Sequence, residues 1–173
     1  MKSNKNLKVG DVFTVPLRDK QTVTGLIISL SKGRGIKTVF GYFFTEPPEV
    51  VVSAYQSGQL RKENSVYACM FSGLGFVDDD WKVIDNIPNF PVESWEHYEF
   101  RNQSLTSGAW RKSIYNKNFK LIDMINSSED ECKDLYEDGL SGYGAVQGVL
   151  NSVVLDKKPL PKIKLPKELL KRI

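Results

Sequence analysis

Three runs of β-branched, aromatic and aliphatic residues open the chain, each closed off by polar turn residues. Asp11–Leu17, Thr22–Leu30 and Ile36–Phe44 are predicted as successive strands, joined by Arg18-Asp19-Lys20-Gln21 and by Ser31-Lys32-Gly33-Arg34-Gly35. Joins of that length suit hairpins, so the first part of the chain predicts an antiparallel meander. Pro16 cannot donate to a ladder, which places it at an edge or near a strand end. In the second run Val23, Gly25, Ile27 and Ser29 alternate with Thr24, Leu26, Ile28 and Leu30, so the larger apolar group is expected on the second face. Gly25 and Gly41 sit inside strands, where glycine marks a bulge or a bend, and together they predict a strongly curved sheet.

Glu46-Pro47-Pro48-Glu49 breaks this pattern, and Val52–Leu60 hints at a short helix that Gly58 weakens. Ser65–Phe71 and Trp81–Ile84 read as strands, and Asn86–Pro91 as loop. Glu93–Arg101 and Trp110–Ile122 hold the last strands, on either side of the polar segment Asn102–Gly108. The chain changes character at Asn126. Ser128-Glu129-Asp130-Glu131 has the form of a capping box, with acids where the helix dipole favours them. Cys132, Leu135, Tyr136, Leu140 and Tyr143 follow at helical spacing, and Val146, Val149, Leu150, Val153 and Val154 give a second stripe. Glycines 139, 142, 144 and 148 separate or bend these stripes into two helices. The expected fold is α+β and predominantly β: a curved antiparallel sheet or partly open SH3-like barrel with two C-terminal helices. Its parts are an antiparallel β domain over residues 1–125, a helical extension packed on it over 126–155, and a basic Pro-containing tail over 156–173.

Composition fits a globular chain: 40% of the 173 residues are hydrophobic and 26% charged, with nine Phe, seven Tyr and three Trp to build a core. No apolar run approaches the ~20 residues that cross a bilayer, and the basic start lacks the apolar segment of a signal peptide. A soluble, cytoplasmic protein without a membrane partner is the expectation. Cys69 and Cys132 are too few for a disulfide framework, and Cys132 reads as a small apolar residue on a packing face. The charge is uneven. From Asp156 onward the net is +5, against +3 for the whole chain, which leaves the body at −2 and argues against a nucleic-acid-binding core.

No catalytic template is present: no phosphate loop, no nucleophile elbow, no His-Glu-x-x-His. Gly33-Arg34-Gly35 and Ser72-Gly73-Leu74-Gly75 read as turns. Asp78-Asp79-Asp80 reads as a solvated turn, because adjacent acids alternate in direction and lack the spaced oxygens of a cation loop. Glu96, His97 and Glu99 have the chemistry for acid–base work. On a strand, however, Trp95, His97, Glu99 and Arg101 share one face and Glu96, Tyr98 and Phe100 the other, an amphipathic pattern with no nucleophile beside it. No catalytic residue, cofactor or metal is expected.

Lys8-Val9-Gly10-Asp11-Val12-Phe13-Thr14-Val15-Pro16-Leu17, then Gly25-Leu26-Ile27-Ile28, then Gly41-Tyr42-Phe43-Phe44, resembles the amino-terminal pattern of the immunity protein 26 family. Trp81-Lys82-Val83-Ile84, followed by Pro88 and Pro91, is similar to a later strand and loop of that family. The resemblance runs from about Lys8 to Ile122. It implies a bacterial immunity protein that binds and blocks a cognate toxin without chemistry of its own, and it carries no catalytic residues.

Binding needs aromatic and arginine anchors and charge complementary to the target. Candidate anchors are Tyr55, Trp95, Tyr98, Arg101, Trp110 and Arg111, with core packing as the simpler reading of each aromatic. Asp78, Asp79, Asp80, Glu93, Glu96 and Glu99 are candidates to oppose a basic toxin site. Two alternatives remain open. The Gly-Asp-Val-x-x-Val-Pro strand also resembles the entrance to PemK/Kid-type ribonuclease barrels, which would require Arg18, Arg34, Arg101 and Arg111 to cluster against RNA phosphates. A general interaction module would instead use Pro159-Leu160-Pro161 as an extended ligand.

Overall fold

A computed structural model describes residues 6–160; the rest of the expected basic tail lies outside the described residues. The chain is α+β with mostly strands, arranged as two antiparallel-rich sheets, neither of them closed into a barrel. Contacts divide it into two compact units, one formed by residues 6–96 with Leu140–Leu160 and the other by His97–Gly139. The boundary expected after residue 125 falls inside a strand of the second unit.

In the first unit the meander forms as the pattern predicts, with β1 over Asp11–Pro16, β2 over Thr22–Leu30 and β3 over Thr38–Phe44. Helix α1 (Pro48–Gln56) follows, starting earlier than the sequence suggests because Pro48 is pre-set for a first helical turn. Strand β4 (Tyr67–Ser72), the single turn α2 (Leu74–Val77) and strand β5 (Lys82–Asn86) complete the first pass.

β2 and β3 are buried over nearly their whole length, so this sheet is covered on both faces. One core cluster takes Val23 and Ile27 from one face of β2, and Leu26 and Ile28 on the other face are buried as well. No register shift falls at Gly25; the irregularity in the β2–β3 ladder lies between Ile27 and Ser29. Gly25 leaves room for the Phe13 ring, which stacks on Trp81 at 5.6 Å and meets Phe43, Phe71 and Phe76.

The second unit holds β6 (Glu99–Gln103), β7 (Trp110–Tyr115), β8 (Leu121–Asn126), the short helix α3 (Glu129–Cys132) and β9 (Tyr136–Glu137). Its strands pair in the order β8-β7-β6-β9, a separate sheet where one curved sheet is expected from the sequence. Residues 110–122 do not form one strand: the backbone of Asn116 closes a turn to Phe119 and Lys120, which makes a hairpin of β7 and β8. A 3₁₀ turn over Val92–Ser94 replaces the start of the expected strand at Glu93, with the amides of Trp95 and Glu96 both donating to the Val92 carbonyl.

The capping box at Ser128 forms, with the Glu131 amide donating to the Ser128 hydroxyl and the Ser128 amide donating to Glu131. Its helix lasts one turn. Tyr136 and Glu137 then pair in parallel with Phe100 and Arg101, and β10 (Leu140–Ser141) returns to the first unit to pair in parallel with Met70 and Phe71. Backbone pairing thus overrides the helical stripe predicted over 132–143. Helix α4 (Tyr143–Leu150) and a π-helical turn over Asn151–Leu155 finish the first unit. Val146 and Leu150 seat α4 in the core, and Gln147 Nε2 donates to the Pro16 carbonyl at 2.6 Å. The first sheet therefore runs β10-β4-β3-β2-β1-β5.

Candidate partner-binding surface

The residues singled out by sequence divide between the two units. In the first, Tyr55 is half-buried on α1 with its ring 5.4 Å from Phe90. Trp95 is 8% exposed, packed edge-on against Tyr42 and tilted against Phe90, so it occupies a core position. Glu96 is half-buried, and Glu93 is exposed. Asp78, Asp79 and Asp80 form an exposed turn after α2, with Asp79 in the left-handed region at φ 63°. The Tyr143 hydroxyl donates to Asp80, and this bond together with the nearby carboxylate charges raises the phenol above its ordinary value. The acidic turn thus lies beside the start of α4. Among the described residues no group of three or more His, Cys, Asp and Glu is placed to hold a metal ion.

In the second unit the β6–β7–β8 register sorts side chains onto two faces. Arg101 lies opposite Lys112, Trp110 opposite Gln103, Ile114 opposite Glu99 and Asp123, and Lys112 opposite Ile125. Arg101 and Trp110 therefore share a face with Lys112, Ile114, Asp123 and Ile125. Arg111 falls on the other face, its Nη1 donating to Met124 Sδ at 3.8 Å. Tyr98 precedes β6, with its ring 5.9 Å from Phe119. Arg101 is engaged within the chain: Nε donates to Glu137 Oε1 at 2.7 Å and Nη1 to the Lys133 carbonyl. Within the first unit Arg18 pairs with Asp156, and within the second Arg101 pairs with Glu137.

Behind that face the sheet is fixed by one carboxylate. Asp138 accepts from the Ser113 hydroxyl at 2.6 Å and from the Tyr115 hydroxyl at 2.7 Å, with Asn102 at 3.5 Å. Burial, then the hydrogen bond to Asp138 and its charge, hold the Tyr115 phenol above its ordinary range. Phe100 packs edge-on to Tyr115, and Cys132 is fully buried beside the Arg111 carbonyl.

β8 is the anomaly of this unit. All six of its residues are exposed, and four of them, Leu121, Ile122, Met124 and Ile125, are large and apolar, with Ile122 at 64%. Among the described residues it is also an edge strand, pairing with β7 alone. Native edges are ordinarily short, charged or covered, and a long apolar one is a pairing site. Reasoning from sequence missed these residues. Leu121-Ile122-Asp123-Met124-Ile125 is apolar on both parities, a pattern that signals a strand buried on both faces, and only the topology shows it at an edge.

No curated protein and no solved structure matches the chain. A family model described as immunity protein 26 matches residues 8–111. The matched segment takes in β1 to β6 and stops at the second residue of β7, leaving β8 beyond it. With well over half of the chain matched, and with the Gly-Asp-Val-Phe strand and its glycine-bearing partner paired as β1 and β2 in the first sheet, the chain belongs to the immunity protein 26 family.

Proposed function

We propose that this chain is a non-enzymatic immunity protein that neutralises a cognate bacterial toxin by binding it in the cytoplasm. Membership of the immunity protein 26 family carries the reading. One structural observation supports binding: the second unit offers an edge strand that is unpaired on one side among the described residues, exposed aliphatic side chains on β8, and an adjoining face with Trp110 and Arg101 beside Lys112 and Asp123. No helix among the described residues is long and apolar enough to cross a membrane, which fits action in solution.

Co-expression with the toxin encoded beside the gene tests the reading. The expected result is a complex that co-purifies and rescued growth; neither complex nor rescue would overturn it. The purified protein is expected to leave RNA intact. Cleavage that disappears on Arg→Ala substitution would instead establish the ribonuclease alternative.

A further inference from the structure

A concavity lies in the first unit, beside the β2–β3 hairpin, and encloses about 850 Å³, within the ~300–1,000 Å³ typical of binding sites. Its floor is apolar: Leu7, Leu30, Phe76 and Val77 line it, and Phe76 is continuous with the aromatic core. Its rim is the hairpin itself, which carries Lys32, Arg34 and Lys37 within six residues, with Ile36 between them 54% exposed. No acidic side chain lines it among the described residues.

The hairpin is held at its base. The Ser31 amide donates to the Thr38 carbonyl, the Thr38 amide to the Ser31 hydroxyl, and the Gly73 amide to the Lys37 carbonyl, at 2.8, 2.9 and 2.8 Å. Lys37 Nζ closes the loop on the Gly33 carbonyl. Gly33 and Gly35 turn the tip at φ 112° and 95°, with no atom of the described residues within 4 Å of where a side chain would begin. Against a body of net negative charge, this is a local concentration of cations over an apolar floor.

We propose that this groove takes an acidic segment of the partner toxin that also carries an apolar side chain. The cations at the rim meet its carboxylates while the apolar side chain enters between Leu30, Ile36 and Val77. The identity of the partner rests on the proposed function; the chemistry of the segment does not. An apolar floor suits a peptide side chain better than a sugar–phosphate backbone. Phe76 is 2% exposed and so offers no open ring for base stacking, which disfavours single-stranded nucleic acid. The match in charge speeds encounter as well as strengthening the complex, so the association rate falls with added salt.

Fluorescence anisotropy with a labelled peptide in which Leu and Phe are set among Glu and Asp tests the chemistry. The same peptide with Lys in place of each acid, and an oligouridine, serve as competitors. The full-length protein is expected to bind the acidic peptide alone, about tenfold to a hundredfold more weakly in the combined K32E/R34E/K37E variant. Ile36→Ser, which leaves the charge untouched, is expected to weaken it as well. Equal binding of the lysine peptide, displacement by oligouridine, or unchanged binding by the charge-reversed variant each overturns the proposal. So does a strong gain in affinity on deleting residues 1–5, which would make the chain's own start the occupant. In the toxin complex, the charge-reversed variant is expected to associate more slowly. Capture at the unaltered rate would remove the groove from the toxin interface while leaving the proposed function standing; wild-type protein that binds the peptide but captures no toxin would do the reverse.

Discussion

Phe13 and Gly25 face each other across the β1–β2 ladder, and the ring of the first lies where a side chain of the second would begin. The pairing has a purpose in packing. It lets the ring lie nearly parallel to Trp81, at an interplanar angle of 15°, with Phe71 and Phe76 closing around the pair.

Gly25→Ala is therefore expected to displace the ring and lower stability by about 1–3 kcal/mol, the range for overpacking a close-fitted core. Urea denaturation checks this: the midpoint should fall at unchanged slope. An unchanged midpoint would mean that the ring repositions freely.

Substitutions on β8 should separate binding from stability. Ile122→Lys, at a position 64% exposed, is expected to change stability by no more than about 0.5 kcal/mol while weakening toxin capture about tenfold or more. Met124→Pro removes a backbone donor from the same strand and should act in the same direction. Calorimetry of the complex beside thermal unfolding of the free protein gives both readouts. Undiminished capture by both variants would move the interface elsewhere.

Tyr115 predicts an alkaline limit. Its phenol is held above the ordinary value in the folded chain, so the native state favours the un-ionised form. That stabilisation is fully present below about pH 10, where an unfolded phenol begins to ionise, and is lost as pH rises further. Comparing wild type with Tyr115→Phe by tyrosinate absorbance should show one phenol that ionises only with unfolding, and the variant should lose the matching part of the alkaline destabilisation.

Cys69 is buried on β4 opposite Gly41 of β3, and burial pushes its thiol up to about 12. Native protein at neutral pH is expected to leave it unalkylated, with full reaction after denaturation. Mass spectrometry of Cys132→Ala isolates the site; rapid labelling of the native variant would contradict its burial.

The first sheet was legible because its signals are local. Runs of Val, Ile and Phe between Gly-rich or polar joins define strands, and two-way hairpins need no distant information, so β2 ends where the pattern says. The turn from Ser128 was legible for the same reason, since a capping box lies within four residues. Tyr136, Leu140 and Tyr143 sit at helical spacing, yet the backbone at 136–137 and 140–141 pairs with strands far away in sequence, and no local pattern records that. The same holds for the candidate surface. Arg101 and Trp110 were visible as anchor types, but Glu137, which engages Arg101, is distant in sequence, and the exposure of Ile122 follows from its place in the strand order.

The return of β10 and α4 has a consequence for synthesis. The first unit is discontinuous in the chain: five of its strands leave the ribosome early, but Val146 and Leu150, which complete its core, emerge last. Until then the aromatic cluster around Phe13 and Trp81 has an uncovered side, so the nascent chain passes through an aggregation-prone stage while residues 97–139 are being made. A chain stopped just before Leu140 would stay in that stage, which makes the last two turns of helix a checkpoint on how much folded protein accumulates.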